Sequence, residues 1–145
     1  MRLAFLLLLP LCFSCKVTLI TGYDQVLDQH ITRIKKEFNL HFIKLSRTLK
    51  DDNPRNQAFA NFQDYYDNLE ADLITIGSRA NRLDEKARIV QQQIRNLDAA
   101  FRTFIQWHQS GPADNPADDR RDIRDAVNSS LDAISLLQET LKAKG

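Results

Sequence analysis

The stretch that decides the fold is residues 87–108, which read ARIVQQQIRNLDAAFRTFIQWH. Its seam positions follow each other at alternating steps of three and four residues: Ala87, Val90, Ile94, Leu97, Phe101, Phe104 and His108. This spacing puts them all along one side of an α-helix, and no strand alternation of useful length competes with it. The stretch therefore predicts one long helix, over about 85–109, with one side buried.

Three further segments have the same period, at about 23–50, 54–81 and 116–143. The predicted seam of the second contains Phe59, Phe62, Tyr66, Leu69, Leu73, Ile76 and Ala80, and that of the fourth contains Ile123, Val127, Ser130, Ile134, Leu137 and Leu141. The strong helix breakers lie between segments, at Asn53-Pro54, Gly111-Pro112 and Asn115-Pro116. Only Gly77 lies inside a segment, where glycine costs about 1 kcal/mol relative to alanine.

The predicted helix starts carry capping residues. Thr21 followed by Asp24 resembles a capping pair for the first helix, and Asp84 is suited to cap the third. Asn53-Pro54 and Asn115-Pro116 each place an N-cap residue before a proline in the first helical position. These residues predict where each of the four helices begins.

Four helices of about 25 residues joined by short connections pack as neighbours that run in opposite directions. A seam with a period close to 3.5 also favours left-handed packing with a crossing angle of about +20°. The predicted fold is all-α: an up-down-up-down antiparallel four-helix bundle over residues 23–145, after an N-terminal signal peptide. A three-helix bundle with a detached fourth helix is the alternative.

The first fourteen residues have the pattern of an export signal. Met1-Arg2 is a short basic start, and Leu3 to Leu9 is an almost pure run of leucine and phenylalanine. The apolar stretch spans about eleven residues, whereas a transmembrane helix needs about 20. A basic start, a short apolar region and small residues before a cleavage site together predict a signal peptide over residues 1–14.

The segment Leu11-Cys12-Phe13-Ser14-Cys15 resembles the signal of bacterial lipoproteins, although Cys12 and Phe13 depart from the usual residues. The resemblance implies lipidation at Cys15, a tether over residues 15–22, and anchoring in a bacterial membrane. Lys16, by the same resemblance, favours the periplasmic side of the outer membrane. Ordinary cleavage after Ser14, which would leave the protein periplasmic or secreted, is the alternative.

Composition limits the functions that the chain can have. Its 145 residues suit one domain and argue against a two-domain enzyme. The 20 Lys and Arg against 19 Asp and Glu give no basic excess that would attract nucleic acid. Both cysteines lie at the signal, so cleavage before Cys15 with acylation leaves the domain without a disulfide or a reactive thiol. We therefore expect no partner among nucleic acids.

The search for chemistry predicts no enzyme, no metal and no cofactor. His30 and His41 lie about 16 Å apart along one helix and cannot share an ion. His41 and His108, at or beside seam positions, are expected to be hydrogen-bonded core residues. The acidic residues near the seams, Asp72 and Asp98 among them, are expected to be solvated or paired with arginine three or four residues away.

The first helix is the basic element and can attract an acidic partner or an anionic lipid surface, unless a neighbouring helix neutralises it. The candidate interaction surface contains Arg33, Lys36, Lys44, Arg47, Trp107 and His108. The predicted function is a non-enzymatic, lipid-anchored envelope protein that contacts another envelope protein. The alternatives are a periplasmic bundle that binds a small ligand or a metal ion, and a hydrolase that uses buried acids.

Three further stretches look like parts of a set of small helical bacterial lipoproteins. They are Ile20 to Asp24, Phe62 to Tyr66 followed by Ala71-Asp72-Leu73, and the closing segment Leu141 to Gly145. The resemblance covers most of the chain after the signal. It implies an envelope lipoprotein of similar fold and brings no activity with it.

Overall fold

The computed structural model describes residues 23–48, 58–83, 87–111 and 117–143. These ranges form four α-helices and contain no strand: α1 (Gln25–Thr48), α2 (Gln63–Ala80), α3 (Arg88–Gln109) and α4 (Ala117–Ala143). The predicted all-α four-helix bundle is confirmed. The segments 1–14 and 15–22, with Cys15, lie outside the described residues, and no described helix is both long and apolar enough to span a bilayer.

The start of α1 differs from the predicted capping pair. The carboxylate of Asp24 accepts hydrogen bonds from the backbone N–H groups of Val26 (2.9 Å) and Leu27 (3.1 Å). Asp24 is therefore the N-cap itself rather than a residue inside the first turn, because its carboxylate satisfies two donors that the helix leaves unpaired. Thr21 and the predicted caps at Asn53, Asp84 and Asn115 lie outside the described residues.

The second helix begins later than predicted. A turn of 3-10 helix, Phe59–Phe62, precedes the α-helix that starts at Gln63. In a 3-10 helix, side chains three residues apart lie on the same side. Phe59 and Phe62 therefore both reach the ring of His108, at centroid distances of 5.6 and 5.3 Å.

The core is a continuous apolar cluster to which all four helices contribute. Its buried members include Leu27, Ile31, Ile34, Phe38, Phe42, Leu45, Tyr66, Leu69, Ile76, Val90, Ile94, Leu97, Phe101, Phe104, Trp107, Val127, Leu131 and Ile134. Because α4 places three fully buried side chains in this core, the alternative with a detached fourth helix is wrong. Both α1 and α3 pack against α2 and α4, while the up-down-up-down order stays a prediction.

The buried side of α4 differs from its predicted seam. Leu131 and Gln138 are fully buried, and Ser130 and Leu137 are only partly buried. A seam through Ser130 and a seam through Leu131 both have helical spacing, so packing decides which of the two is buried. Burying leucine is favourable, whereas burying serine removes its hydroxyl from water. The side-chain oxygen of Gln138 accepts a hydrogen bond from the backbone N–H of Asp24 (3.0 Å), while its side-chain nitrogen is buried without a partner in the described ranges.

Candidate functional site

One end of the bundle contains four polar rings, which we call the histidine–tyrosine cluster: His41, Tyr65, Tyr66 and His108. The hydroxyl of Tyr66 lies 3.2 Å from Nε2 of His41 and 2.5 Å from Nδ1 of His108. It can therefore donate to one imidazole and accept from the other. Tyr65 stacks on His41 with a centroid distance of 3.7 Å and an angle of 4° between the rings. The cluster ties together α1, α2 and α3.

Burial controls the protonation of this cluster. Burial, together with the smaller effects of the neighbouring His108 and Lys44, lowers the pKa of His41 to about 3. Burial raises the pKa of both tyrosines well above its usual value, and for Tyr65 the proximity of Tyr66 and Glu37 acts in the same direction. His41 is therefore neutral at physiological pH, and Tyr65 and Tyr66 keep their protons.

These pKa values limit what the cluster can do chemically. A general acid or base works best when its pKa lies near the working pH, and neither His41 nor the tyrosines meet that condition. Over the residues that the structure describes, no group of three or more His, Cys, Asp or Glu side chains could hold a metal ion. The geometry supports hydrogen-bonded packing between three helices, as the sequence predicted for His41 and His108.

A second polar group joins the middle of α1 to α2. Asp72 is 9% exposed, and its carboxylate accepts hydrogen bonds from Nε (3.2 Å) and Nη2 of Arg33. Nη2 of Arg33 also donates to Nδ1 of His30 (2.8 Å). The partner of Asp72 therefore lies on another helix, whereas the sequence predicted that solvent or an arginine on its own helix would satisfy it. For Asp98 the prediction is correct, because it pairs with Arg102 four residues away.

A polar groove of about 750 Å³ lies between α1 and α2. The groove has charged side chains of both signs, Arg33 and Lys44 against Asp64 and Asp72, and the stacked rings of His41 and Tyr65 also line it. The hydroxyl of Tyr65 is buried and has no hydrogen-bond partner among the residues that the structure describes. The aromatic cluster is therefore next to the polar surface of α1.

The outward face of α1 carries four of the predicted interaction residues, at steps of three, eight and three. We call the set of Arg33, Lys36, Leu40, Ile43, Lys44 and Arg47 the α1 flank. Leu40 is 49% exposed and Ile43 is 48% exposed, so two large apolar side chains lie among the cations. Asp72 neutralises Arg33, but Lys36, Lys44 and Arg47 form no ion pair with the described part of the chain.

The structure does not place the other two predicted surface residues on this face. Trp107 is 7% exposed and His108 is 1% exposed, and both lie in the bundle interior. They belong to the buried side of α3 because they follow Phe104 at steps of three and four residues. An exposed interaction surface that includes Trp107 and His108 is therefore wrong for this fold.

Sequence reasoning missed how the polar residues pair. The seam pattern located His41, Tyr66 and His108 individually, but it could not show that a single hydroxyl connects the two rings. Asp72 sits between the predicted seam residues Leu69 and Leu73, and a charged residue at such a position could have indicated a partner on another helix. Leu73, which was predicted to lie on the buried seam, is only partly buried.

Comparisons with known proteins add nothing to the geometry: no family model matches the chain, and neither a curated protein nor a solved structure matches it.

Proposed function

We propose that the protein is a non-enzymatic, lipid-anchored component of the bacterial cell envelope, and that its α1 flank binds an acidic segment of another envelope protein. One observation carries the proposal: Leu40 and Ile43 are half exposed between Lys36, Lys44 and Arg47, which have no acidic partner in the described ranges. An apolar pair surrounded by free cations suits an amphipathic segment with apolar and acidic residues. Anchoring at Cys15 remains part of the proposal.

The position of the free cations favours a protein over a lipid surface. Lys44 and Arg47 lie about 30 Å along α1 from its first residue, Gln25. An anchor at Cys15 would hold the start of α1 near the membrane, because the intervening residues are few. The cationic end of the α1 flank would then be the part of α1 farthest from that membrane, where a neighbouring protein can reach it.

The proposal can be tested with a photoreactive amino acid at position 40 of the full chain in living cells. Position 136 on α4 is the matched control, because Leu136 is also an exposed leucine, at 65%. We expect a discrete adduct from position 40 and none from position 136. The crosslinked peptide, identified by mass spectrometry, should carry acidic side chains along one face.

Charge reversal separates specific binding from chance proximity. The double variant Lys44→Glu with Arg47→Glu should reduce the adduct at least about tenfold, which corresponds to about 1.4 kcal/mol of binding free energy. Arg82→Glu reverses an exposed charge at the other end of the bundle and should leave the adduct unchanged. Equal adducts at positions 40 and 136, or binding to anionic vesicles without a protein adduct, would refute the proposal.

A second candidate function is the binding of a small polar ligand in the groove between α1 and α2. The hydroxyl of Tyr65 is buried beside this groove without a partner in the described ranges, which favours such a ligand because an unsatisfied buried hydroxyl is costly. Native mass spectrometry of the chain purified from its own cells should then show a bound small molecule that Tyr65→Phe releases. A clean apo mass for the unmodified chain would remove this candidate.

A further inference from the structure

A second groove, of about 790 Å³, lies between α2 and α3 on a face of the bundle that α1 does not line. At one of its ends, the side chain of Gln91 donates to the backbone carbonyl of Ala80 (3.1 Å). Beyond its other end, Tyr66 is hydrogen-bonded to His108. The two helices therefore run side by side in opposite directions. These two contacts also show which residues of α2 and α3 lie at the same height along the helix axes.

Gly77 is the feature of this groove that the fold itself does not explain. It lies inside α2 and lines the groove, and a Cβ atom at this position would meet nothing within 4 Å. Glycine in place of alanine lowers the ratio of folded to unfolded protein about fivefold in a helix interior. No close approach by any described residue compensates for that loss, so the open space above Gly77 suits a side chain from outside.

The side chain that fits this space is present on the same helix. Ile74 is 63% exposed, lies three residues before Gly77 and lines the same groove. We propose that the α2–α3 groove is an interface between two copies of this chain, with Ile74 of each copy placed over Gly77 of the other. A two-fold axis between positions 74 and 77 produces both contacts at once, because such an interface is self-complementary.

The charges on α3 support the same two-fold axis. The hydrogen bonds from Gln91 to Ala80 and between Tyr66 and His108 mark two heights along the bundle at which α2 and α3 meet. Interpolating between these heights places Ile74 at the same height as Asp98, and Gly77 at the same height as Arg95. The axis that pairs Ile74 with Gly77 therefore also brings Arg95 of one copy to the level of Asp98 of the other. Within the described ranges, Arg95 bonds only to the side chain of Gln92 (2.7 Å), so its charge is available to an acid. Asp98 already pairs with Arg102 on its own helix, and its carboxylate would accept Arg95 of the other copy as a second cation.

The size of the surface sets the expected affinity. The groove follows α3 from Gln91 to Gln109, which is about 27 Å, and two adjacent helices are about 20 Å wide. About 500 Å² per copy is at the small end for a specific interface. We therefore expect a reversible dimer with a dissociation constant in the micromolar range.

Sedimentation equilibrium of the full chain in density-matched detergent tests the dimer over about 1 to 100 µM. Gly77→Ala should stabilise the folded monomer but weaken the dimer, and two separate measurements test these opposite effects. Urea unfolding of the dilute chain should show an approximately fivefold higher ratio of folded to unfolded protein, because nothing blocks the new methyl group. The dimer should nevertheless weaken at least about tenfold, because the same methyl group occupies the space for Ile74.

Two further variants check the geometry. Ile74→Ala should weaken the dimer about tenfold, and Leu136→Ala, which shortens an exposed leucine outside the groove, should leave it unchanged. Arg95→Glu should weaken the dimer, and adding Asp98→Arg should recover most of the loss, because a two-fold axis exchanges both charges together. A chain that stays monomeric at 100 µM, or a Gly77→Ala dimer as tight as the unmodified one, would overturn the proposal whatever the α1 flank binds.

Discussion

The neutral, buried His41 makes the stability of the bundle depend on pH in a way that can be calculated. Its pKa is about 3 in the folded protein, mainly because of burial, against 6.5 for an ordinary histidine. Above pH 6.5 both folded and unfolded chains leave it neutral, so its stabilising contribution is complete. As the pH falls from 6.5 towards 3, only the unfolded chain gains the proton, and this contribution is progressively lost.

The size of the effect follows from those two values. Each pH unit between them lowers the free energy of unfolding by about 1.4 kcal/mol. Relative to neutral pH, the loss should reach about 2 kcal/mol at pH 5 and about 3 kcal/mol at pH 4. Such a loss is a large part of the stability of an ordinary domain.

Urea unfolding between pH 7.5 and 4 measures this slope, and His41→Phe isolates it. The substituted ring can still stack on Tyr65, and His108 still pairs with the hydroxyl of Tyr66. At neutral pH we expect His41→Phe to cost about 1 kcal/mol through the lost hydrogen bond. At pH 4 it should be the more stable chain, because it has no proton to gain at this position.

The control for this comparison is Phe104→Leu, which weakens packing in the same region without removing a titrating group. It should lower the stability by a similar amount at every pH. If unmodified chain and His41→Phe differ by the same free energy from pH 7.5 to 4, the burial of a neutral His41 is wrong. Titration of the His41 ring above pH 5, seen by NMR in the folded protein, would also contradict it.

Three further outcomes follow from the packing and the signal. Leu131→Ala should cost about 3 kcal/mol in urea unfolding and Ser130→Ala less than about 0.5 kcal/mol; the reverse order would restore the predicted seam of α4. Asp72→Ala should cost about 2 kcal/mol, because it leaves Arg33 without its carboxylate, and no change would show that solvent already satisfies this pair. Cys15→Ala should move the protein from the membrane fraction to the soluble fraction, and unchanged partitioning would count against lipidation.

Predictions from periodicity were accurate where one side chain's environment depends mainly on its own helix. The seam of α3, from Val90 to Phe104, is buried as the spacing predicts. The error in α4 has a different origin, because Ser130 and Leu131 are adjacent and either can complete a seam with Val127 and Ile134. Only the neighbouring helices decide which of the two positions faces inward.

The candidate site was less predictable for a related reason. Lys36, Lys44 and Arg47 are exposed on α1 as expected, because their positions follow directly from the helical period. The half-exposed Leu40 and Ile43 between them were not anticipated, because an apolar residue gives no sign in the sequence of whether a neighbouring helix covers it. The same limitation applies to Ile74.

The amino-acid sequence by itself determined that this chain forms helices and which side of each helix is apolar, since both depend on residues three or four positions apart. The tertiary structure decided which polar side chains meet. Tyr66 and His108 are 42 positions apart, and Arg33 and Asp72 are 39 positions apart. Their hydrogen bonds exist only because the apolar sides of separate helices bury each other, which brings these groups together away from water.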